Sequence, residues 1–195
     1  QALKELLKGA QILKQILETH QNRTSLKHKS PGPAILISDK TNFKETAVRK
    51  DKEGHYIRTK GLVQQENINI YAPNTGAPKF IKQLLIDLRN EIDSNTVIVG
   101  DFNIPLTALD RPSRQKVNKE TVDLNYTLEQ MDLMDIYRTF HPTTAEYTFY
   151  STAHGPFSKT DHMIGHKTSL NKFEKTEITP STLSDHSGIK HGNQL

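Results

Sequence analysis

A chain of 195 residues is long enough for one α/β domain with a single core, and its 34% apolar and 25% charged residues predict a modest core under a polar surface. The net charge of +4 is compatible with a polyanionic partner but does not require one. The absence of cysteine excludes disulfides and thiolate zinc sites. The sequence has no apolar run of membrane-spanning length and no signal-peptide pattern, so we expect no membrane partner and an intracellular location, nuclear or cytoplasmic.

The N-terminal segment is predicted to be a helix followed by a linker. Apolar residues at spacings of three and four indicate an amphipathic helix over residues 1–20. A polar connector then runs to Pro31-Gly32-Pro33, which is a strong break in regular structure. Three short strands are predicted after it, at 34–38, around Val48 and at 55–63.

The centre of the chain follows the order strand, helix, strand. Residues 68–71 alternate in polarity and end at Ala72-Pro73-Asn74, where a strand gives way to a loop. A helix opens at 75–78 with proline in its first turn. Its predicted buried stripe is Phe80, Leu84, Leu88 and Ile92. The apolar run at 96–102 then reads as a buried strand, so this order predicts an α/β layer architecture.

The C-terminal half is predicted to contain one helix and several short strands. The helix spans 118–133. Its predicted packing residues are Val122, Leu124, Leu128 and Met131. Strands are predicted at 134–140, 147–150 and 161–164, with a hairpin loop at 152–158. A last stretch beginning at Ile178 leads towards Asp185 and His186.

Asp101 and Asn103 lie two residues apart at the end of the strand predicted at 96–102. In an extended backbone their side chains share one side of the sheet. A carboxylate there can orient an attacking water, and an amide can hydrogen-bond a phosphate oxygen as charge develops on it. Because Gly, Asp and Asn also favour turns, this string taken alone is more typical of a simple turn.

His186 is the second candidate, because an imidazole can stabilise a phosphate as a cation or move a proton. Asp161 is a candidate to hydrogen-bond and orient it, as a carboxylate does in hydrolytic triads. Asp185 points to the other side of the backbone and is a candidate ligand for a divalent metal. His162 points away from Asp161 in a strand, so we interpret it as structural. The competing interpretation of residues 184–187 is an ordinary polar loop.

Three further groups have both a functional and a structural interpretation. Glu18 is either a metal ligand or the solvated last turn of a helix. Tyr71 either hydrogen-bonds phosphate or is a half-buried residue at a strand end. Arg111, Arg114 and Lys116 either grip a DNA backbone or form a solvated basic loop.

Taken together, four short strings resemble the endonuclease/exonuclease/phosphatase superfamily, in which they occur in the same order. They are Asn69-Ile70-Tyr71-Ala72-Pro73-Asn74, Gly100-Asp101-Phe102-Asn103, Ser158-Lys159-Thr160-Asp161-His162 and Ser184-Asp185-His186-Ser187. Stretches 51–56 and 135–139 resemble more specifically the endonuclease domain of mammalian long interspersed retrotransposon polyproteins. The likeness runs from Ala34 to Lys190, which implies a domain over 34–190, a divergent helix and linker over 1–33 and a tail over 191–195.

The resemblance implies a four-layered α/β sandwich of the DNase I-like type. The family's first core strand has no counterpart here, because a helix-like segment stands in its place. The resemblance also implies a DNA-nicking endonuclease that depends on Mg²⁺, or on Mn²⁺, and acts as a monomer or as part of a larger reverse-transcriptase polyprotein. The alternative is a catalytically impaired remnant that still binds DNA.

Roles for individual residues follow from the resemblance, motif by motif. It implies that Asp101 aligns the water, that Asn103 and Tyr71 contact the phosphate, and that Asp161 orients His186 against the scissile phosphate. Glu18 matches the family's metal-binding glutamate, and Asp185 is implied to lie near the metal. Thr148 and the loop to Ser158 correspond to the hairpin that enters the DNA minor groove.

Overall fold

The computed structural model of the chain describes residues 45–50, 56–61, 66–112, 116–151, 155–180 and 185–193, and these form a mixed α/β fold. The α/β class predicted from the sequence is therefore confirmed. The helix predicted over 1–20, the strand at 34–38 and Glu18 lie outside the described residues, as does the segment in which the first core strand was expected to be missing. Within the described part of the chain, no helix is long and apolar enough to cross a bilayer.

The largest element is a six-stranded sheet in which only one neighbouring pair is parallel. Its strands are β1 (Glu45–Lys50), β2 (Tyr56–Gly61), β3 (Glu66–Tyr71), β4 (Thr96–Asp101), β5 (Leu133–Asp135) and β8 (Asp161–His166), in the spatial order β1-β2-β3-β4-β8-β5. Strands β3 and β4 are parallel because helix α1 (Ala77–Asp87) makes the crossover between them. Two two-stranded sheets complete the set, β6 (Phe149–Ser151) with β7 (Gly155–Ser158) and β9 (Phe173–Thr179) with β10 (Gly188–Asn193).

The central strand β4 is covered on both faces, which explains its continuous apolar run. Ile98 lies in the larger core cluster, to which α1 and α2 (Lys119–Gln130) contribute. Val97 lies in a second cluster with Met163 of β8 and Phe173 of β9, and Val99 packs against it. Burial of each such side chain is worth about 2 kcal/mol. The layers are therefore helices, six-stranded sheet and the β9–β10 sheet, and the end of β4 is held firmly.

Helix α1 buries a face slightly rotated from the predicted one. Leu84 and Leu88 are buried as predicted, but Ile81 and Leu85 complete that face and Phe80 is only half-buried. The predicted spacing of four drifts around a helix of 3.6 residues per turn, so a stripe written at strict fourth positions leaves the core side. In α2, Val122 is exposed because it lies two residues before the buried Leu124 and so on the opposite side of the helix, which makes its predicted packing role wrong.

The strand predicted over 134–140 is mostly a helix. Only Leu133–Asp135 pairs with β8, and α3 (Ile136–Phe140) follows. The Asp135 carboxylate accepts the Arg138 backbone N–H at 3.1 Å and so caps the helix start. Part of the loop predicted at 152–158 is strand β7, and β10 continues into the residues expected to form the tail.

Candidate active site

Three strand ends meet at one edge of the six-stranded sheet. Asp101 ends β4 and pairs with Asp161, the first residue of the antiparallel neighbour β8. Tyr71 ends β3 and is the parallel neighbour of Asp101. His186 comes from the segment just before β10 and bridges to Phe149 of β6. The topology thus brings four of the predicted site residues to one place from strands far apart in sequence.

Asp161 and His186 form the ion pair predicted for them. The imidazole Nδ1 lies 2.8 Å from Asp161 Oδ2, and the two side chains are 30% and 20% exposed. This hydrogen bond raises the pKa of His186, an effect that partial burial opposes and that the nearby charges of Asp161, Asp101 and Asp185 reinforce. Since the carboxylate accepts, Nδ1 carries the hydrogen, and Nε2 is turned towards Asp101 at 3.8 Å from its Oδ2.

Asp101 and Asn103 are brought together by a turn and not by an extended strand. The strand ends at Asp101, and the Asn103 backbone N–H donates to Asp101 Oδ1 at 2.9 Å. Asn103 has φ 53°, a left-handed conformation that asparagine tolerates. Its Nδ2 donates to the Ala72 carbonyl at 2.6 Å, which ties the turn to the end of β3. The turn interpretation of this string is therefore confirmed and the expected extended geometry is wrong, while the functional interpretation stays a prediction.

The Asp101 carboxylate lies in a half-buried, strongly electrostatic position. Burial raises its pKa, the Asn103 N–H opposes that rise, and the neighbouring Asp161 carboxylate adds to it. One donor atom each from Asp101, Asp161 and His186 lies within 4.8 Å of the other two. Two acids and one imidazole converging on a single point can bind a cation, hold a water for deprotonation and contact an anionic phosphate.

The oxygen donors of this cluster fit a hard divalent cation in charge and chemistry. Mg²⁺ prefers oxygen ligands such as carboxylates, and this cluster offers two carboxylates that repel one another. An imidazole suits Mn²⁺ better than Mg²⁺. Asp101 Oδ1 accepts the Asn103 N–H, and Asp101 Oδ2 is the oxygen that faces His186 Nε2. Asp185 is exposed and adjacent to His186 in the chain, but it is not part of the cluster. Glu18 lies outside the described residues, so both predicted metal ligands stay predictions.

The strand β6 holds the segment that carries His186. The Tyr150 N–H donates to the Asp185 carbonyl at 2.9 Å, and the Ser187 N–H donates to the Thr148 carbonyl at 2.6 Å. The Phe149 ring lies 4.8 Å from the His186 ring, tilted by 49°. These contacts flank His186 on both sides, and they fix the imidazole between β6 and Asp161.

Thr148 is buried within the protein and not exposed to a ligand. The side chain is 1% exposed, and its hydroxyl accepts the backbone N–H groups of Thr160 and Asp161, each at 3.1 Å. A hydroxyl engaged in this way holds the Asp161 backbone in place. The predicted DNA contact by the Thr148 side chain does not fit this geometry, because a side chain sealed in the interior reaches no external ligand.

The basic loop is only partly described. Arg111 is half-buried and Lys116 is exposed, whereas Arg114 lies outside the described residues. Tyr71 is half-buried beside Asp101, in a position that fits either interpretation made from the sequence. A DNA contact by these side chains stays a prediction.

A buried polar cluster beside the site was missed from the sequence. Lys159 is 0% exposed, and its Nζ lies 2.7 Å from Asp135 Oδ2 and 2.9 Å from His162 Nδ1. His162 was interpreted as structural, and its 1% exposure confirms that. The Lys159–Asp135 pair joins residues 24 apart in the sequence, so no local pattern signals it.

Comparison with known proteins agrees with this geometry. Residues 9–186 match the Endonuclease/Exonuclease/phosphatase family. Over 127 residues, 63% of this chain, the sequence is 26% identical to a 149 kDa protein of the transposon TX1 from Xenopus laevis. The chain spans 10% of the length of that protein.

Two solved structures share the fold. A 3′ phosphatase from Neisseria, bound to product DNA hairpin, superposes with a TM-score of 0.67 at 18% identity, covering 80% of this chain and 73% of that one. The endonuclease domain of TRAS1, a telomere-specific non-LTR retrotransposon, superposes with a TM-score of 0.57 at 14% identity, covering 72% and 63%. The predicted DNase I-like fold is thereby confirmed, as is the resemblance to retrotransposon endonucleases.

Proposed function

The chain belongs to the endonuclease/exonuclease/phosphatase family, and we propose that within it the chain is a divalent-metal-dependent DNA endonuclease of the long interspersed retrotransposon type. The observation that carries the proposal is the convergence of Asp101, Asp161 and His186 within 4.8 Å at the edge of the sheet. The fold shared with a DNA-bound phosphatase and with a retrotransposon endonuclease domain supports DNA as the substrate. The similarity to a large transposon protein supports a larger parent chain. We propose a nuclear or cytoplasmic location from the sequence alone.

In the proposed reaction, Asp101 receives the proton of an attacking water. The new phosphorus–oxygen bond forms as the bond to the leaving oxygen breaks, and the raised pKa of Asp101 makes it a better base for that proton. The Asn103 Nδ2 donates one of its two hydrogens to the Ala72 carbonyl, and the second is the donor that we propose for a phosphate oxygen. Asp101, with Glu18 and Asp185 as further proposed ligands, would hold a divalent cation, which would supply charge stabilisation to the phosphate.

His186 supplies positive charge to the phosphate. Its pKa is raised by the hydrogen bond to Asp161, so the imidazolium form persists to higher pH than in a free histidine. Since Asp161 occupies Nδ1, the donor that we propose for a phosphate oxygen is Nε2–H, which lies on the side that faces Asp101. Asp161 is thus a positioning residue that sets both the tautomer and the charge of His186.

The proposal is tested by incubating the full chain with supercoiled plasmid in Mg²⁺, in Mn²⁺ and in excess EDTA. We expect conversion to open circles in either metal and none in EDTA. Fluorescence anisotropy with a labelled duplex at two salt concentrations distinguishes the alternative function. A folded chain that binds DNA with steep salt dependence but never nicks is an impaired DNA-binding remnant.

A further inference from the structure

The buried cluster of Lys159, Asp135 and His162 lies directly behind the candidate site. Asp135 Oδ2 contacts Lys159 Nζ at 2.7 Å and His162 Nδ1 at 2.8 Å, so one carboxylate oxygen serves both. On the other side of its ring, His162 Nε2 lies 2.9 Å from the Ile104 carbonyl. A carbonyl oxygen only accepts, so Nε2 carries a hydrogen and donates it.

The cluster connects the two halves of the candidate site through the backbone. Successive side chains of a strand point to opposite faces, so Asp161 contacts His186 while His162 enters the interior, where its ring lies 5.3 Å from that of Phe102. Ile104 directly follows Asn103 in the chain. The hydrogen bond from His162 to Ile104 therefore joins the residue after Asn103 to the residue after Asp161.

Other contacts fix the same short segment. The Phe102 N–H donates to the Thr160 carbonyl at 2.8 Å, and the Lys159 N–H donates to the Asp110 carbonyl at 2.9 Å. The first bond restrains the residue before Asn103. The second, together with the Asn125 Nδ2 donating to the Leu106 carbonyl at 2.8 Å, holds the chain farther along. The His162 side chain acts between them, because it holds Ile104, the residue directly after Asn103.

Stability alone does not account for a cluster of this kind. Removing a lysine, a carboxylate and an imidazole from water is costly, and well-packed apolar replacements for buried ion pairs are often as stable or more so. What a satisfied polar network provides in addition is one defined arrangement of the segments it joins. Here the two joined segments carry Asn103 and Asp161, the groups assigned to phosphate contact and to orientation of His186.

We propose that His162, held by Lys159 and Asp135, is a positioning residue that sets the geometry between the Asp101–Asn103 turn and the Asp161–His186 pair. The proposal rests on the function proposed above for its catalytic consequence. Its structural consequence is independent of that function, because the environment of His186 is observable in a protein that cleaves nothing.

Two substitutions at one position separate the two hydrogen bonds of the ring. In His162→Gln the longer amide places its N–H near the position of Nε2 and keeps the bond to Ile104. In His162→Asn the shorter amide reaches only the position of Nδ1 and loses that bond. Both variants leave a small void and a polar side chain in the same place, so they are matched for general loss of stability.

Activity is measured on supercoiled plasmid at a temperature at which circular dichroism shows both variants folded. We expect His162→Asn to lower kcat about 10- to 100-fold with KM little changed, since a misplacement of about 1 Å has that effect. His162→Gln is expected to stay within about threefold of wild type. Equal kcat in the two folded variants overturns the proposal.

A second readout needs no cleavage. In EDTA, ¹⁵N spectra of histidine-labelled protein report the His186 Nδ1–H···Asp161 hydrogen bond; we expect a shifted His186 resonance in His162→Asn and an unchanged one in His162→Gln. In wild type, the His162 Nε2–H is expected to exchange slowly with solvent, a measurement that remains if either variant does not fold. Rapid exchange of that hydrogen, or an unmoved His186 resonance in His162→Asn, contradicts the proposal. A plasmid-inert wild type with the expected spectra rejects the endonuclease and leaves the positioning role standing.

Discussion

Among the glycines whose surroundings the structure describes, Gly100 is the one at which an added methyl group is predicted to do the most damage. It precedes Asp101 in β4 and has φ 134°, a region that L-residues rarely occupy. A Cβ at this residue would lie 2.0 Å from the Ile70 carbonyl oxygen and 2.8 Å from Asn69 Oδ1. Ile70 is the direct partner of Gly100 on β3, so the obstacle is backbone that the sheet holds in place.

The size of the effect follows from that geometry. Carbon and oxygen rarely approach closer than about 3.3 Å, so β3 and β4 have to separate by roughly 1 Å beside the site. We expect Gly100→Ala to lower the free energy of unfolding by about 4 kcal/mol, from about 1–3 kcal/mol of backbone strain and about 1–3 kcal/mol of overpacking. Displacement of Asp101 is expected to lower the nicking rate about 100-fold in the protein that remains folded.

The matched control is Gly76→Ala. Gly76 also has positive φ, at 75°, but a Cβ there meets nothing within 4 Å. We expect a loss of about 1 kcal/mol and unchanged nicking. Urea unfolding followed by circular dichroism gives the stabilities, and plasmid nicking below both unfolding transitions gives the rates. If Gly100→Ala is no more harmful than Gly76→Ala in either assay, the packing of β3 against β4 described here is wrong.

Three further outcomes follow from the same contacts. Asp161→Asn is expected to lower the pKa of His186 in metal-free protein, measured by NMR titration in EDTA. In wild type, the stability that the Asp161–His186 pair contributes is fully present below the ordinary histidine pKa and is lost as pH rises through the pKa of His186 in the folded protein. Asp135→Asn leaves Lys159 buried without its counter-ion and is expected to cost about 3–5 kcal/mol in urea unfolding at pH 7. Burial alone would raise the pKa of Asp135, but the Lys159 ammonium holds that pKa well below its ordinary value. Wild type is therefore expected to lose stability as pH falls below about 4, and Asp135→Asn is expected to lose less over the same range. Thr148→Val leaves two buried N–H groups without an acceptor, and calorimetry is expected to show a loss of about 2 kcal/mol, whereas an unchanged melting temperature would refute the assigned contacts.

Much of the candidate site was predictable because its residues occur in short sequence motifs. Asp101, Asp161 and His186 each stand at the end of a recognisable strand or beside one, and strand ends are where an α/β sheet gathers functional side chains. The hydrogen bond between Asp161 and His186 was expected first from their side-chain chemistry and then from the resemblance, and the two atoms lie 2.8 Å apart, whereas the catalytic role of the pair stays a proposal. The turn at Asn103 was the interpretation favoured for that string taken alone, because Gly, Asp and Asn are typical turn residues, and the structure has this turn.

What the sequence did not reveal depends on contacts between distant residues. Thr148 looks like any polar residue before a strand until the fold places its hydroxyl under the Asp161 backbone. The helix at 136–140 replaced a predicted strand because Asp135 caps it, and one apolar run of that length fits either structure. The Lys159–Asp135 pair is set by tertiary contact alone, which no periodicity encodes.

We propose above that Asp101, Asp161 and His186 form a working phosphodiester-cleaving centre. Plasmid nicking in Mg²⁺ tests this with wild type, His186→Ala and the control His166→Ala. Within the described part of the chain, His166 Nδ1 contacts the hydroxyl and the backbone N–H of Thr168, away from the candidate site. We expect wild type and His166→Ala to convert the plasmid to open circles. In His186→Ala, with the fold intact, we expect the nicking rate to fall by at least about 100-fold. Nicking that persists in His186→Ala, or a folded wild type that leaves the plasmid supercoiled, contradicts this proposal.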